Sequence, residues 1–265
     1  EKPALAEDGM TRGLGAIREL LAEAGEFAPA RIVVVATSAV RDAANGGEFR
    51  RRVKAATGHE IRILTGEEEA GLIGRGLTCD PALAGLENFY VFDLGGGSLE
   101  CLAFRQRRIE QAASLQLGCV RLTEKFVPDP AQPFPPSARE QVAAHTRVVL
   151  AESKFAFNLP AGVGIGTGGT VSTVRALLGA RSGRSAEAAS PVVTVAQLRG
   201  LLETLAALPL VQRKQVPGLP PSRADVFPAA LATLITLAEA GNLAEFRHSF
   251  YNLRWGLAAQ ALETL

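Results

Sequence analysis

At 265 residues, with 47% apolar residues and 28 Lys plus Arg against 27 Asp plus Glu, the chain can build one large or two modest domains and carries a net charge of +1. That balance excludes the broad basic field of a nucleic-acid binder and the acidic blocks of a solvating tail. No stretch reaches the roughly 18 uninterrupted apolar residues of a membrane span, and three cysteines without CxxC spacing, Cys79, Cys101 and Cys119, suit a reducing compartment, so the cytoplasm is the expected location.

Leu14, Ile17, Leu20 and Leu21 recur at helical spacing between about Thr11 and Ala24. "RIVVVATSA" reads as a buried parallel strand, "GGEFRRRVKAATG" as an amphipathic helix closed by Gly58, and "EIRILTG" as the next strand. "GEEEAGLIGRGL" restarts a helix, and "TCDPALAGLEN" reads as a hinge, so two domains are expected over 1–84 and 85–265, meeting between Thr78 and Asn88. From Asn88 the strands "FYVFDL", "LECLAF" and "RIEQAASLQLG" follow one another through short turns, as in antiparallel hairpins. A proline-rich connection leads to the helix "AREQVAAHTRVVLAESKF", then to the strand "AGVGIG", and the remainder is expected to be mainly helical through "LRWGLAAQALETL". The class is α/β.

Two glycine turns carry the chemistry. In "DLGGGSLE" the amides of Gly95, Gly96 and Gly97 have no Cβ to bar an anion, although the turn lacks the lysine of a P-loop and runs into a strand instead of the helix of a dinucleotide site. Asp93 and Glu100 flank it with carboxylates suited to hydrated Mg²⁺; the plain alternative is a bulged glycine hairpin with solvated acids. "GIGTGGTVSTV" passes from strand to helix, and its early helical amides suit another anion. Arg41, with Ser38 and Asn45 nearby, follows a buried strand at the end where ligands of α/β sheets usually lie. Three glutamates open the helix at Glu67, and Thr65-x-x-Glu68 is itself a capping box, so capping accounts for one or two of them without chemistry.

In this order, "ATSAVRDAAN", "LTGEEEAGLI", "VFDLGGGSLE", "SLQLGCVRLTEKF", "GIGTGGTVSTV" and "PGLPPSRADVFPAAL" resemble the exopolyphosphatase and guanosine pentaphosphate phosphohydrolase family, over nearly the whole chain. The resemblance implies two ribonuclease-H-like domains of the actin-like ATPase type facing a cleft. It also implies hydrolysis of a terminal phosphoanhydride of polyphosphate or guanosine pentaphosphate with Mg²⁺. By resemblance Glu68 is the catalytic glutamate, with Glu69 the nearest alternative, and Asp93 and Glu100 hold the metal or its waters. Arg41, Gly95, Gly96, Gly97, Ser98 and Arg121 face phosphate, and Gly166, Gly168, Gly169 and Thr170 form the second turn. The family's first phosphate loop, Asp-x-Gly-Thr-Asn-Ser, has no counterpart before "EKPALAEDGM", so the first domain is expected to lack its N-terminal strands here. A non-enzymatic sensor and a kinase of the same superfamily are the rival readings. No nucleic acid or membrane partner is implied, a homodimer is compatible, and a helical tail over Asn242–Leu265 is expected to return to the first domain.

Overall fold

A computed structural model describes residues 3–160 and 162–263. In the first of two units, Glu1–Glu68, helix α1 (Glu7–Glu26) and helix α3 (Gly46–Thr57) accompany the parallel strands β1 (Val34–Ala36) and β2 (Ile61–Ile63), with the short helix α2 (Ser38–Arg41) after β1. Met10, Phe49, Val53 and Ile61 form its core. Helix α3 ends as the sequence predicts: Gly58 takes φ +77°, a left-handed cap that glycine adopts without steric cost. The strands are shorter than the apolar runs that encode them.

Helix α4 (Gly66–Thr78) leads into the second unit, Glu69–Leu265, and a single 3₁₀ turn at Pro81–Leu83 occupies the segment expected as a hinge. That Thr78–Asn88 segment falls inside the second unit. A six-stranded sheet follows, ordered β5-β4-β3-β6-β8-β7, from β3 (Phe89–Leu94), β4 (Leu99–Arg105), β5 (Arg108–Leu115), β6 (Val163–Thr167), β7 (Val192–Thr194) and β8 (Glu245–His248). β3, β6 and β8 run parallel, while β4 and β5 extend the sheet as antiparallel hairpins. Ala161, expected to open β6, lies outside the described residues.

Alternation along the strands assigns their faces. Tyr90, Phe92, Leu99, Cys101 and Ala103 join the larger core with α5 (Cys119–Phe126), α6 (Pro136–Glu152), α7 (Gly168–Arg181), α8 (Val195–Ala206) and α10 (Phe227–Ala240). Phe89, Val91, Leu102 and Phe104 pack on the other face with Ala70, Ile73 and Leu77 of α4. By the same parity Asp93 and Glu100 belong to the α4 face. Helix α10 is buried almost all round, as its run of apolar residues requires. Helix α9 (Leu210–Arg213) ends on Arg213, 1% exposed, whose guanidinium donates to five carbonyls: Leu208, Ala224, Asp225, Pro130 and Gln132. It ties the proline-rich connection to the loop before α10.

The tail corrects one expectation. Asn242–Leu265 is not helical throughout, because Glu245–His248 enters the sheet as β8, and only α11 (Leu253–Leu262) is helix; residues 264–265 lie outside the described residues. Helix α11 crosses α4 so closely that a Cβ on Gly256 would lie 1.8 Å from the Leu72 carbonyl oxygen, and one on Gly76 2.1 Å from that of Asn252. Among the described residues no helix is long and apolar enough to cross a membrane.

Candidate active site

The first glycine turn is a hairpin between antiparallel strands, as its sequence predicts: Gly95 N–H donates to the Ser98 carbonyl at 3.0 Å and β4 starts at Leu99. Its carbonyls are claimed from behind. Cys119 N–H donates to Gly95 O at 3.0 Å, Val120 N–H to Gly96 O at 2.9 Å, and Arg121 Nε to Gly97 O at 3.0 Å. In a trans peptide the N–H points opposite to the preceding C=O, so the amides of Gly96, Gly97 and Ser98 face away from α5. Those of Gly96 and Gly97 take no hydrogen bond among the described residues. Gly118 makes this possible, since a Cβ there would sit 2.2 Å from Gly96 O. Arg121, expected to face phosphate, braces the turn through its Nε.

Asp93 and Glu100 are directly opposed across the β3–β4 ladder, which sets their side chains side by side on the α4 face. Burial, then the negative charge of Glu69, raises Asp93 to about 6, against the opposing pull of Arg223. Glu100 is 2% exposed, accepts from Ser114 Oγ at 2.8 Å, and is pushed up to about 7 by burial and then by Glu69, despite the hydroxyls of Ser98 and Ser114. The charge coupling draws Glu69 into this group. It is 6% exposed and shares the buried stripe of α4 with Leu72, Ile73 and Gly76.

Glu68 faces elsewhere. Its carboxylate accepts from Thr65 N–H at 2.8 Å and from Arg62 at 2.6 Å, while its own N–H donates to Thr65 Oγ1 at 3.1 Å, completing the capping box. These partners hold its carboxyl below the usual range, Thr65 first and Arg62 next.

The second turn is built around the same acids. Gly168 takes φ +77°, and a Cβ on it would lie 2.0 Å from Asp93 Oδ1; one on Gly169 would lie 2.1 Å from the Arg223 guanidinium. Thr170 Oγ1 donates to Leu94 O at 2.6 Å and pins α7 to the end of β3, while Gly166 leaves room for Val171, 2.7 Å from where its Cβ would be. Gly168 therefore borders Asp93 and Gly169 borders Arg223, whereas Thr170 and Gly166 fix the turn. In the first unit Arg41 ends the short helix α2 that follows β1. Its side chain is 18% exposed, donates to Leu64 O at 2.9 Å and lies 3.5 Å from Asp42. Asn45 is spent on the backbone of Leu5, accepting at 2.8 Å and donating at 2.9 Å, and Ser38 is buried.

The sequence model of the Ppx/GppA phosphatase family matches residues 1–265. The chain belongs to this family. Over 274 residues it is 29% identical to a guanosine-5'-triphosphate,3'-diphosphate pyrophosphatase of Vibrio cholerae, covering 100% of the chain and 52% of that protein. It thus spans about half the length of the curated relatives it matches. An exopolyphosphatase from Cytophaga hutchinsonii superposes with a TM-score of 0.88 at 23% identity, covering 100% of this chain and 85% of that one. A Ppx/GppA enzyme from Aquifex aeolicus superposes with a TM-score of 0.76 at 25% identity, covering 97% and 84%. The fold of this family member is accordingly the mixed α/β, actin-like ATPase fold. Within the Ppx/GppA chain, sequence reasoning left three participants without a role: Arg223 beside Asp93 and Gly169, Ser114 on Glu100, and Gly118 behind the hairpin. The motif holding Arg223, "PPSRADVF", was itself visible; nothing in its spacing says that the arginine turns toward β3.

Proposed function

We propose that this chain forms the catalytic part of a cytoplasmic phosphoanhydride hydrolase that releases terminal phosphate from polyphosphate or guanosine pentaphosphate. The observation that carries the proposal is the grouping of three carboxylates, Glu69, Asp93 and Glu100, with Arg223 beside a hairpin whose amides face outward. A pure anion binder gains nothing from acids such as Asp93 and Glu100, whose pKa values are raised by burial first and by the charge of Glu69 next. A hydrolase needs them for water and a cation. Three unpaired cysteines, two of them buried, support a reducing compartment.

Asp93 and Glu100 fit Mg²⁺: both offer hard oxygen donors from one face of the hairpin, in a site crowded with negative charge. Among the described residues no group of three or more His, Cys, Asp or Glu is placed to hold a metal ion, so any Mg²⁺ held through Asp93 and Glu100 would have to keep waters of its own. When bound there, Mg²⁺ would neutralise phosphate oxygens. The amides of Gly96 and Gly97 bind the anion, and Arg223 meets the charge that builds on the transferring group. Glu69 orients the attacking water and takes its proton. We assign this role to Glu69 because Glu68 is committed to its cap and to Arg62.

Phosphate release is measured from polyphosphate and from guanosine pentaphosphate, with and without a phosphoryl acceptor. Hydrolysis that needs no acceptor is expected. Release only with an acceptor would make the protein a kinase, and tight binding with no release under either condition would make it a sensor.

A further inference from the structure

Ser114 stands opposite Glu100 in the antiparallel ladder between β4 and β5, and Asp93 stands opposite Glu100 on its other side, in β3. Directly opposed residues share a face of a sheet, so Asp93, Glu100 and Ser114 form a row across the strands on the side of α4. The flanking residues fix this phase. Ala113 and Leu115 beside Ser114, Leu99 and Cys101 beside Glu100, and Leu94 beside Asp93 all join the larger core on the opposite face.

The row is closed by a hydrogen bond. Ser114 Oγ donates to Glu100 Oε1 at 2.8 Å, the usual length of an O–H···O contact, and the Ser98 hydroxyl bonds the same carboxylate from the hairpin. A carboxylate accepts about four such bonds, so these two hydroxyls leave lone pairs open to a cation. Packing supplies no reason for a hydroxyl at this position. Ser114 is half-buried in the edge strand of the sheet, and two residues earlier on the same strand face the methyl of Ala112 suffices opposite Leu102. Glu100, by contrast, is 2% exposed, and a glutamate carries its carboxylate on a jointed stem that needs partners to hold one rotamer.

We propose that Ser114 is a positioning residue for the metal site, holding Glu100 by Oε1 so that the carboxylate is already oriented, beside that of Asp93, when it meets Mg²⁺. This role rests on the hydrolase reading above, in which those two acids would hold the ion. With so few protein ligands, the direction of each bears on the affinity, and outer partners that set a ligand's direction carry a measurable share of it. A hydroxyl that only satisfied a buried oxygen would act on folding and leave metal affinity unchanged.

The test titrates the intact protein, Ser114→Ala, Ser114→Val and Ser114→Thr with Mg²⁺ alone, by calorimetry and by the rise of the thermal midpoint with added Mg²⁺. Glu100→Gln marks the loss expected when the ligand itself is removed. The Val and Thr variants share a shape and differ in one hydroxyl, which separates hydrogen bonding from packing. Kd for Mg²⁺ should rise at least about tenfold in Ser114→Ala and Ser114→Val, the scale of losing an outer partner of a metal ligand, and stay within about threefold of the parent in Ser114→Thr. In phosphate release the Ala and Val variants should need about tenfold more Mg²⁺ for half-maximal rate, with kcat at saturating Mg²⁺ near that of the parent. An unchanged Kd in Ser114→Ala and Ser114→Val overturns the role, whatever the metal-free midpoint does. Equal losses in the Val and Thr variants overturn it too, because shape and not the hydroxyl would then matter; should either fail to fold, Ser114→Ala still decides. Mg²⁺ binding that persists in Glu100→Gln overturns it by placing the ion elsewhere. No binding of Mg²⁺ by the parent refutes the metal site and this role with it, while acceptor-free phosphate release separately judges the hydrolase.

Discussion

Replacing Glu69 by Gln removes a charge from the centre of the acid group while keeping the size of a side chain that is only 6% exposed. Its amide cannot take a proton near neutral pH, so kcat is expected to fall by about 10²–10⁴, the scale of a lost acid–base group, or roughly 3–5 kcal/mol on the barrier. KM should move little, because the outward amides of Gly96 and Gly97 and the Arg223 guanidinium proposed to hold phosphate are intact. The control is one residue away. Glu68→Gln still accepts from Thr65 N–H, since Gln serves equally at that position of a capping box, and loses only charge attraction to a half-exposed Arg62. Its kcat should remain within about twofold of the parent. Phosphate release under saturating substrate, with circular dichroism to show both variants folded, separates the two. A hundredfold loss in Glu68→Gln with full turnover in Glu69→Gln would refute the reasoning from burial and charge coupling.

Gly168→Ala combines a strained left-handed φ with a Cβ 2.0 Å from Asp93 Oδ1, so it should lower stability by about 1–3 kcal/mol in chemical denaturation and abolish turnover; retention of both would show that the turn yields easily. Arg223→Ala removes the cation that opposes the rise of Asp93, and kcat/KM should drop by at least about tenfold with the thermal midpoint little changed. A large fall in that midpoint with unaltered kinetics would make Arg223 structural. His248 gives a pH dependence. Its folded pKa, about 4, lies below the ordinary 6.5, so the unfolded chain binds the proton first, and the stability contributed by the neutral ring, present above 6.5, is lost as pH falls toward 4. Thermal midpoints at pH 7 and 4.5 should therefore diverge less in His248→Phe than in the parent; equal divergence would contradict the assignment.

The hairpin was legible because three glycines between two apolar alternations, with an acid on each side, admit few other structures. Parity then brought Asp93 and Glu100 to one face. The ground for proposing Glu69 over Glu68 was legible in the helical phase: Glu69, with Leu72, Ile73 and Gly76, lies at the i, i+3, i+4, i+7 positions of the buried stripe, and Glu68 does not. Strand β8 escaped notice because four residues, three of them Glu, Arg and His, carry almost no strand signal, and the sheet alone gives them their conformation. Arg41 has a partner that its own sequence neighbourhood does not indicate. Its bond to Leu64 O joins positions 23 residues apart, which no local pattern announces. Arg223 depends on a long-range approach as well, being brought to Asp93 and Gly169 by a loop with one 3₁₀ turn, Pro221–Arg223.

That loop owes its shape to Arg213. A guanidinium has five N–H donors, and here five backbone oxygens from the α8–α9 turn, the proline-rich connection and the two residues after Arg223 accept from it. The segment carrying Arg223 therefore has its conformational entropy removed at folding and not at substrate capture. An arginine on an unanchored loop would subtract the ordering of its own backbone and side chain from every phosphate it bound. With Arg213 in place that deduction is already made, so the affinity proposed for Arg223 would go to the ligand alone.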